Sequence, residues 1–458
     1  MQDKNRNNNW KAKSLERSKT IKACKREIRR LKKNRDKWKN QYKVLQVKTK
    51  LTKIKGHRYP MEFIWIGIYM RITLNVSLRS VSKSLKEMSL ILGLALPCIE
   101  KLSSTTIRNW SLKYGHYALH KDLEKREYAL ICDESIVIGQ EQVLLILAVP
   151  IDNKSYITPL SMQDVRVVSV EVKSSWKSEA IASLIRSTMA KEGIEVRYVI
   201  SDNGTALGAA YKLCGLPKIA DCTHQMANIL QKLYSKDTQL SGFVKQMNAT
   251  RAKWVKSRYI VYLPPTLRAK SRFHQLFTIS QWAQLMLVKW SKMPIIVQEE
   301  LIYLKENEVF IAQMCIINQL VKDLGLILKS EGIHLKTTLK CENLFREIEV
   351  KTDEERIRKF IAQMRDYIKE QQKQLPNMTQ ILCCSDIIES MFGKYKNKKN
   401  THEMLTEDVL TIAAFGGNMS CEDVKAACAN TKIKDVQKWK KEKTIPSVIT
   451  LKKQFKAA

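Results

Sequence analysis

Two short apolar runs that lead into aspartates constrain this chain most. Residues 128–132 (Tyr-Ala-Leu-Ile-Cys) run into Asp133, and residues 196–200 (Val-Arg-Tyr-Val-Ile) are followed, after Ser201, by Asp202. Runs this short, and this rich in β-branched and aromatic residues, read as strands. Between them, 143–150 and 156–168 are expected as two further strands. Residues 174–190 have helical period, with Ile181, Leu184, Ile185 and Met189 on one face. A helix is expected after Gly204, then a short fifth strand at 218–221 and a helix from His224. Three strands, helix, strand, helix, strand predicts an α/β core with a mixed five-stranded sheet. A carboxylate just past an apolar strand sits at the sheet's edge, where solvent and a cation reach it. The bland alternative for either aspartate is a turn former.

The surroundings are helical. Only 15 Gly and 10 Pro occur in 458 residues, about half their usual share. Residues 1–56 carry 21 Lys/Arg against four acids, and their apolar residues fall on a heptad. Ile21, Ile28, Arg35 and Tyr42 take one core position; Cys24, Leu31, Trp38 and Leu45 take the other. A coiled coil or a single basic helix fits. Residues 57–125 read as a helix-turn-helix: Leu78, Val81, Leu85, Met88 and Leu92 recur at helical spacing, 93–97 break the helix, and Ser103 or Ser104 caps a second one. Arg108, near its start, would face a DNA groove; the alternative is an ordinary helical hairpin. The α/β core would occupy 126–230. An all-α insertion follows at 231–375. A final amphipathic helix, capped by Ser385, falls within 376–425, and a basic tail at 426–458.

The chain carries 80 Lys/Arg against 45 acids, a net charge of +35. A charge this large calls for a polyanion, nucleic acid before membrane surface. No run approaches 18 apolar residues, so no membrane span is expected. The first ten residues are polar, without the apolar region of a secretory signal. Eleven scattered cysteines without a Cys-x-x-Cys pair argue against a disulfide framework or zinc module. A cytoplasmic, nucleic-acid-binding protein is the expectation.

Glu389 is the third acid of interest. It lies between Ile388 and Phe392 on the expected amphipathic helix, although a helical Glu is usually just solvated. Three converging carboxylates without a Cys/His set favour a hard cation such as Mg²⁺. Two such ions would activate water or a 3′-hydroxyl and stabilise the leaving oxygen in phosphoryl transfer.

The order of strands around Asp133 and Asp202 resembles the RNase H-like core of DDE transposases. Asp221-Cys222-Thr223-His224, 19 residues beyond Asp202, resembles the C/D-x-x-H signature of Mutator-like and hAT-like transposases. The helical insertion before the last acid is similar as well. Ile388-Glu389-Ser390-Met391-Phe392-Gly393-Lys394-Tyr395-Lys396 resembles the stretch around the final Glu of bacterial insertion-sequence transposases. The Tyr and Arg of the Y-R-E-K pattern are absent; Leu382 and Ser385 stand there, so the chain departs from that branch. The resemblance implies a DNA transposase with Asp133, Asp202 and Glu389 as metal ligands, holding two Mg²⁺ that Mn²⁺ can replace. It implies His224 at the reacting phosphate, although a core histidine satisfied by Asp221 is the alternative. Lys394 and Lys396 join Arg108 as expected DNA contacts. The implied partners are double-stranded DNA (terminal inverted repeats and target) and a second copy of the chain, in a homodimer or larger assembly near the nucleoid. A transposase-derived DNA-binding protein without catalysis is the main alternative.

Overall fold

The computed structural model describes all residues except 1, 49–50, 95, 97, 139–140, 152–155, 203, 267–271, 399–404, 445, 447 and 458. Asn203 lies outside them. The chain forms two compact units, 1–63 and 64–458. The first is dominated by a single helix, α1 (Gln2–Lys48). All its side chains from residues 13 to 40 are exposed.

Three helices precede the sheet: α2 (Met61–Ile72), α3 (Leu78–Ile91) and α4 (Ser104–His120). Ser77 and Ser103 cap the latter two, accepting the N–H groups of Ser80 and Thr106, because a hydroxyl replaces the carbonyl that a first turn lacks. The two expected helices of 57–125 are thus present, with Gly93 in the left-handed region (φ +60°) where α3 ends.

The sheet follows. Its strands are β1 (Glu127–Ile138), β2 (Glu141–Pro150), β3 (Arg166–Lys173), β4 (Glu195–Ser201) and β5 (Lys218–Ala220), in the order β3-β2-β1-β4-β5. Pairs β1–β2 and β2–β3 are antiparallel; β1–β4 and β4–β5 are parallel. Helices α5 (Ser178–Glu192) and α6 (Thr205–Cys214) make the two crossovers. They cover one face, where Ile181, Ile185, Leu207 and Tyr211 pack on Leu130, Cys132, Ile146 and Val199. The mixed α/β architecture is therefore as expected. The third strand is not: it begins at Arg166, not at residue 156. Pro159 has no N–H to give a ladder, and Asp164 turns the chain by accepting from the N–H and hydroxyl of Ser161. The true strand is the β-branched run 166–173, in register with β2.

Beyond α7 (Cys222–Tyr234) come α8 (Thr238–Trp254), α9 (Arg272–Val288), α10 (Ile295–Glu300), α11 (Ile302–Glu306), α12 (Glu308–Glu331), α13 (Leu335–Lys351) and α14 (Glu355–Gln374). Among the described residues α12 alone is long and apolar enough to cross a membrane, and half of its most apolar stretch is buried inside the protein. It packs on α7, α9 and α13 through residues such as Met314, Ile317 and Leu324. Trp254 is buried. Helix α14 closes the sheet's edge. The N–H of Ala220 on β5 donates to Gln371 Oε1, and Ala220 O accepts from the Tyr367 hydroxyl, so the strand's outer groups have partners.

The chain returns as α15 (Asp386–Lys398), a 3₁₀ segment (Glu407–Phe415), α16 (Cys421–Asn430), α17 (Ile433–Lys443) and α18 (Val448–Ala457). The 3₁₀ segment, α16 and α17 pack against α4. Gly115 permits this approach: a Cβ there would lie 2.6 Å from the Leu410 carbonyl oxygen.

Candidate functional site

The parallel register of β1 and β4 sets Asp133 beside Asp202. Ala129 pairs with Tyr198, Leu130 with Val199 and Ile131 with Ile200, so each aspartate lies two residues beyond the last pair. Asp133 is not past the end of its own strand, as the sequence predicts. β1 continues along β2, with Asp133 opposite Leu145. The opening comes instead from β4, which stops at Ser201. Side chains two apart in a strand share a face. Asp133 follows Ile131 and Asp202 follows Ile200, on the face opposite the α5–α6 layer.

Helix α15 packs on β1. Its Ile388, Met391, Phe392 and Tyr395 are buried, whereas Glu389 is exposed beside them. Asp133 feels its neighbours directly. Burial, then the charge of Asp202, push its carboxyl up to about 6; Glu389 adds to the rise, and the Glu134 N–H and His224 oppose it. Glu134 is also raised by burial and by Asp202. The Glu134 N–H donates to Asp133 Oδ1 at 2.7 Å. Asp202 Oδ1 accepts the N–H of Gly204 at 2.9 Å, at the start of α6. A Cβ on Gly204 would stand 3.0 Å from that oxygen.

His224 lies in the first turn of α7, whose N-cap is Asp221. Asp221 Oδ1 accepts both the His224 N–H (2.7 Å) and Nδ1–H (3.0 Å), and His224 Nε2 is 3.6 Å from Glu389 Oε1. The hydrogen bond to Asp221 raises the imidazole to about 9 against the cost of burial, and the charges of Asp221, Glu389 and Asp202 add to it. His224 is thus held by Asp221 at one ring nitrogen and faces Glu389 with the other.

Asp221 is the residue whose importance sequence reasoning missed. Its Oδ2 accepts the Ser385 N–H (2.6 Å) and hydroxyl (3.0 Å), and beside it the Cys222 N–H donates to Cys383 O (2.8 Å). Burial alone would raise this carboxyl. The bonds from His224 and Ser385 outweigh it and hold it below the usual range. One buried acid therefore ties the start of α7, bearing His224, to the start of α15, bearing Glu389. The signal available was Asp three residues before His at a helix start, the N-cap spacing.

Asp221, Cys384 and Asp386 bring ligand atoms within 4.8 Å of one another. The oxygens of Asp221 are already taken, and Asp386 pairs with Lys329. This cluster is held together by the protein's own donors.

The expected DNA contacts separate. Lys396 is exposed on α15, two turns beyond Glu389. Lys394 is half-buried, 4.9 Å over the Phe415 ring. Arg108, about a third exposed, pairs with Glu407 (2.9 Å) and Asp408 (3.0 Å) of the 3₁₀ segment, so part of its charge is already taken up within the protein. A cleft of about 680 Å³ opens between α6, β5 and α14, with Gly204, Thr205, Lys212, Lys218 and Gln371 among its walls; none of Asp133, Asp202, His224 and Glu389 lines it.

Comparison with known protein families and with curated proteins returns no match to this chain.

Proposed function

We propose that the chain is a DNA transposase with an RNase H-like core, cleaving DNA at element ends and joining the freed 3′-hydroxyl to target DNA. The observation that carries this reading is the convergence of Asp133, Asp202, Glu389 and His224 from four separate elements onto one sheet face. The sheet order, with an antiparallel β1–β2–β3 half and a parallel β1–β4–β5 half, supports the RNase H-like assignment.

The donor types suit a hard cation, three carboxylates beside an open strand end, but among the described residues their oxygens do not all lie within 4.8 Å of one another, so Glu389 would have to move toward the aspartates to share an ion. Asp133, Asp202 and Glu389 would hold Mg²⁺, as two ions, with Mn²⁺ able to substitute. Bound there, such ions acidify a water or 3′-hydroxyl and neutralise the leaving oxygen. The remaining work falls to the chain. His224 presents a ring N–H beside Glu389, suited to a phosphate oxygen. Asp221 fixes that ring and the helix carrying Glu389 together. Lys396 is exposed on the same helix to meet the DNA backbone. Double-stranded DNA is the proposed substrate and target; no membrane is invoked, and the proposed location is the nucleoid.

The test is a labelled duplex carrying the terminal repeat, with Mg²⁺, and the wild type beside Asp202→Asn. Nicking or joining by the wild type alone, with equal binding by both, supports the enzyme. Binding by both with cleavage by neither, even with paired ends, favours a DNA-binding protein descended from such an enzyme.

A further inference from the structure

We propose that α1 pairs with α1 of a second copy as a parallel, in-register coiled coil, independently of the catalytic reading. The helix is 47 residues long, about 70 Å at 1.5 Å per residue. Every side chain described between residues 13 and 40 is exposed, and helices draw most of their stability from packing an apolar face.

What α1 offers is a seam. Ile21, Cys24, Ile28, Leu31, Arg35 and Trp38 recur at alternating spacings of three and four, and Tyr42 and Leu45 continue the series in sequence. Ile21, Ile28, Leu31 and Trp38 are 52–70% exposed. A strict seven-residue repeat sets a left-handed supercoil, and β-branched Ile opposite Leu at the alternate position favours two strands. Contact with a polyanion requires no such repeat.

The flanking charges choose the partner and its direction. With Ile21 and Ile28 at the first core position, Lys25, Lys32 and Lys39 flank one side of the seam, and Thr20, Glu27 and Asn34 the other. In a parallel pair each residue of the second set meets a lysine of the next heptad on the partner copy: Thr20 with Lys25, Glu27 with Lys32, Asn34 with Lys39. One contact is attractive and none is repulsive. An antiparallel pair would bring the lysine rows against each other. Glu27 now pairs with Arg30 of its own helix at 2.8 Å, with both exposed, so exchanging that contact costs little. Arg35 in the seam would fix the register, as single polar core residues do. The other positive charges here, Lys22, Arg26, Arg29, Arg30, Lys33 and Lys37, project from the outer positions. The paired helix is apolar within and basic without.

The experiment is thiol crosslinking of full-length protein, free of DNA, under mild copper–phenanthroline oxidation. Wild type is expected to form a disulfide dimer through Cys24, and Cys24→Ser to lose it. Adding Leu31→Cys to Cys24→Ser should restore the crosslink, and adding Arg29→Cys on the outer face should not. Leu31→Asp should lower the mass by light scattering, with catalytic-unit folding unchanged by circular dichroism. Crosslinking at Cys24 but not at Leu31→Cys would mean antiparallel pairing and overturn the proposal. So would equal crosslinking at all positions, or a monomer that crosslinks only when DNA is added, which would place α1 on DNA instead. None of these outcomes bears on cleavage by Asp202.

Discussion

Replacing Asp221 by Asn tests the physical core of the site. Its buried carboxylate accepts four hydrogen bonds, two from His224 and two from Ser385. An amide presents one acceptor and one donor. If the amide oxygen stays on His224, the amide nitrogen confronts the Ser385 N–H; if it turns, it confronts the His224 backbone N–H. The Ser385 hydroxyl can rotate to accept, but a backbone N–H cannot. One buried N–H is orphaned in either case, at about 1–3 kcal/mol, and a charge-assisted bond is lost, at about 1.5–3 kcal/mol. The expected destabilisation is about 2.5–6 kcal/mol, a large share of a typical domain's stability of about 5–15 kcal/mol. Urea denaturation of wild type, Asp221→Asn, Ser385→Ala and the double variant measures it. The double-variant cycle should show coupling between Asp221 and Ser385. A loss under about 1 kcal/mol for Asp221→Asn, with no coupling, would refute the claim that this carboxylate ties α7 to α15.

Three further outcomes follow from the same geometry. Gly204→Ala should weaken divalent-cation binding while leaving stability within about 1 kcal/mol, because its Cβ crowds Asp202 Oδ1 without entering the core; calorimetric titration with Mn²⁺ reads it. Asp423 accepts from Lys121, Ser420 and Tyr117, which outweigh its burial and hold its carboxyl below the usual range. Its folded-state pKa is depressed, so its stabilisation is present above about pH 4 and is lost as pH falls through the folded value; Asp423→Asn should flatten the acid limb of a stability–pH curve. Lys396→Ala should lower the salt slope of DNA binding by about one ion, whereas Arg108→Ala should leave the slope alone and cost about 1–3 kcal/mol of stability, because its partners are Glu407 and Asp408.

What could be read from the sequence was whatever local chemistry decides. The apolar runs into Asp133 and Asp202 gave their strands because β-branched side chains and short length leave few alternatives. Ser103 announced α4 through its cap. The third strand was misplaced because loose alternation over 156–165 mimics a strand, and only Pro159 and the Asp164 turn contradict it. The partners of α4 were not legible for a different reason. Its partners, the 3₁₀ segment and α17, lie some three hundred residues away, and nothing local to Arg108 reveals Glu407 and Asp408. Asp221 was legible as a cap but not as a clasp, since the second half of its role comes from Ser385.

The most direct measurement of the central claim is Mn²⁺ binding to the DNA-free protein, followed by electron paramagnetic resonance. Wild type should bind saturably. Asp133→Asn, Asp202→Asn and Glu389→Gln should each bind at least about tenfold more weakly while remaining folded, since each removes one charged oxygen ligand. Absence of saturable binding, or variants that bind as wild type does, would contradict a site built from these three carboxylates.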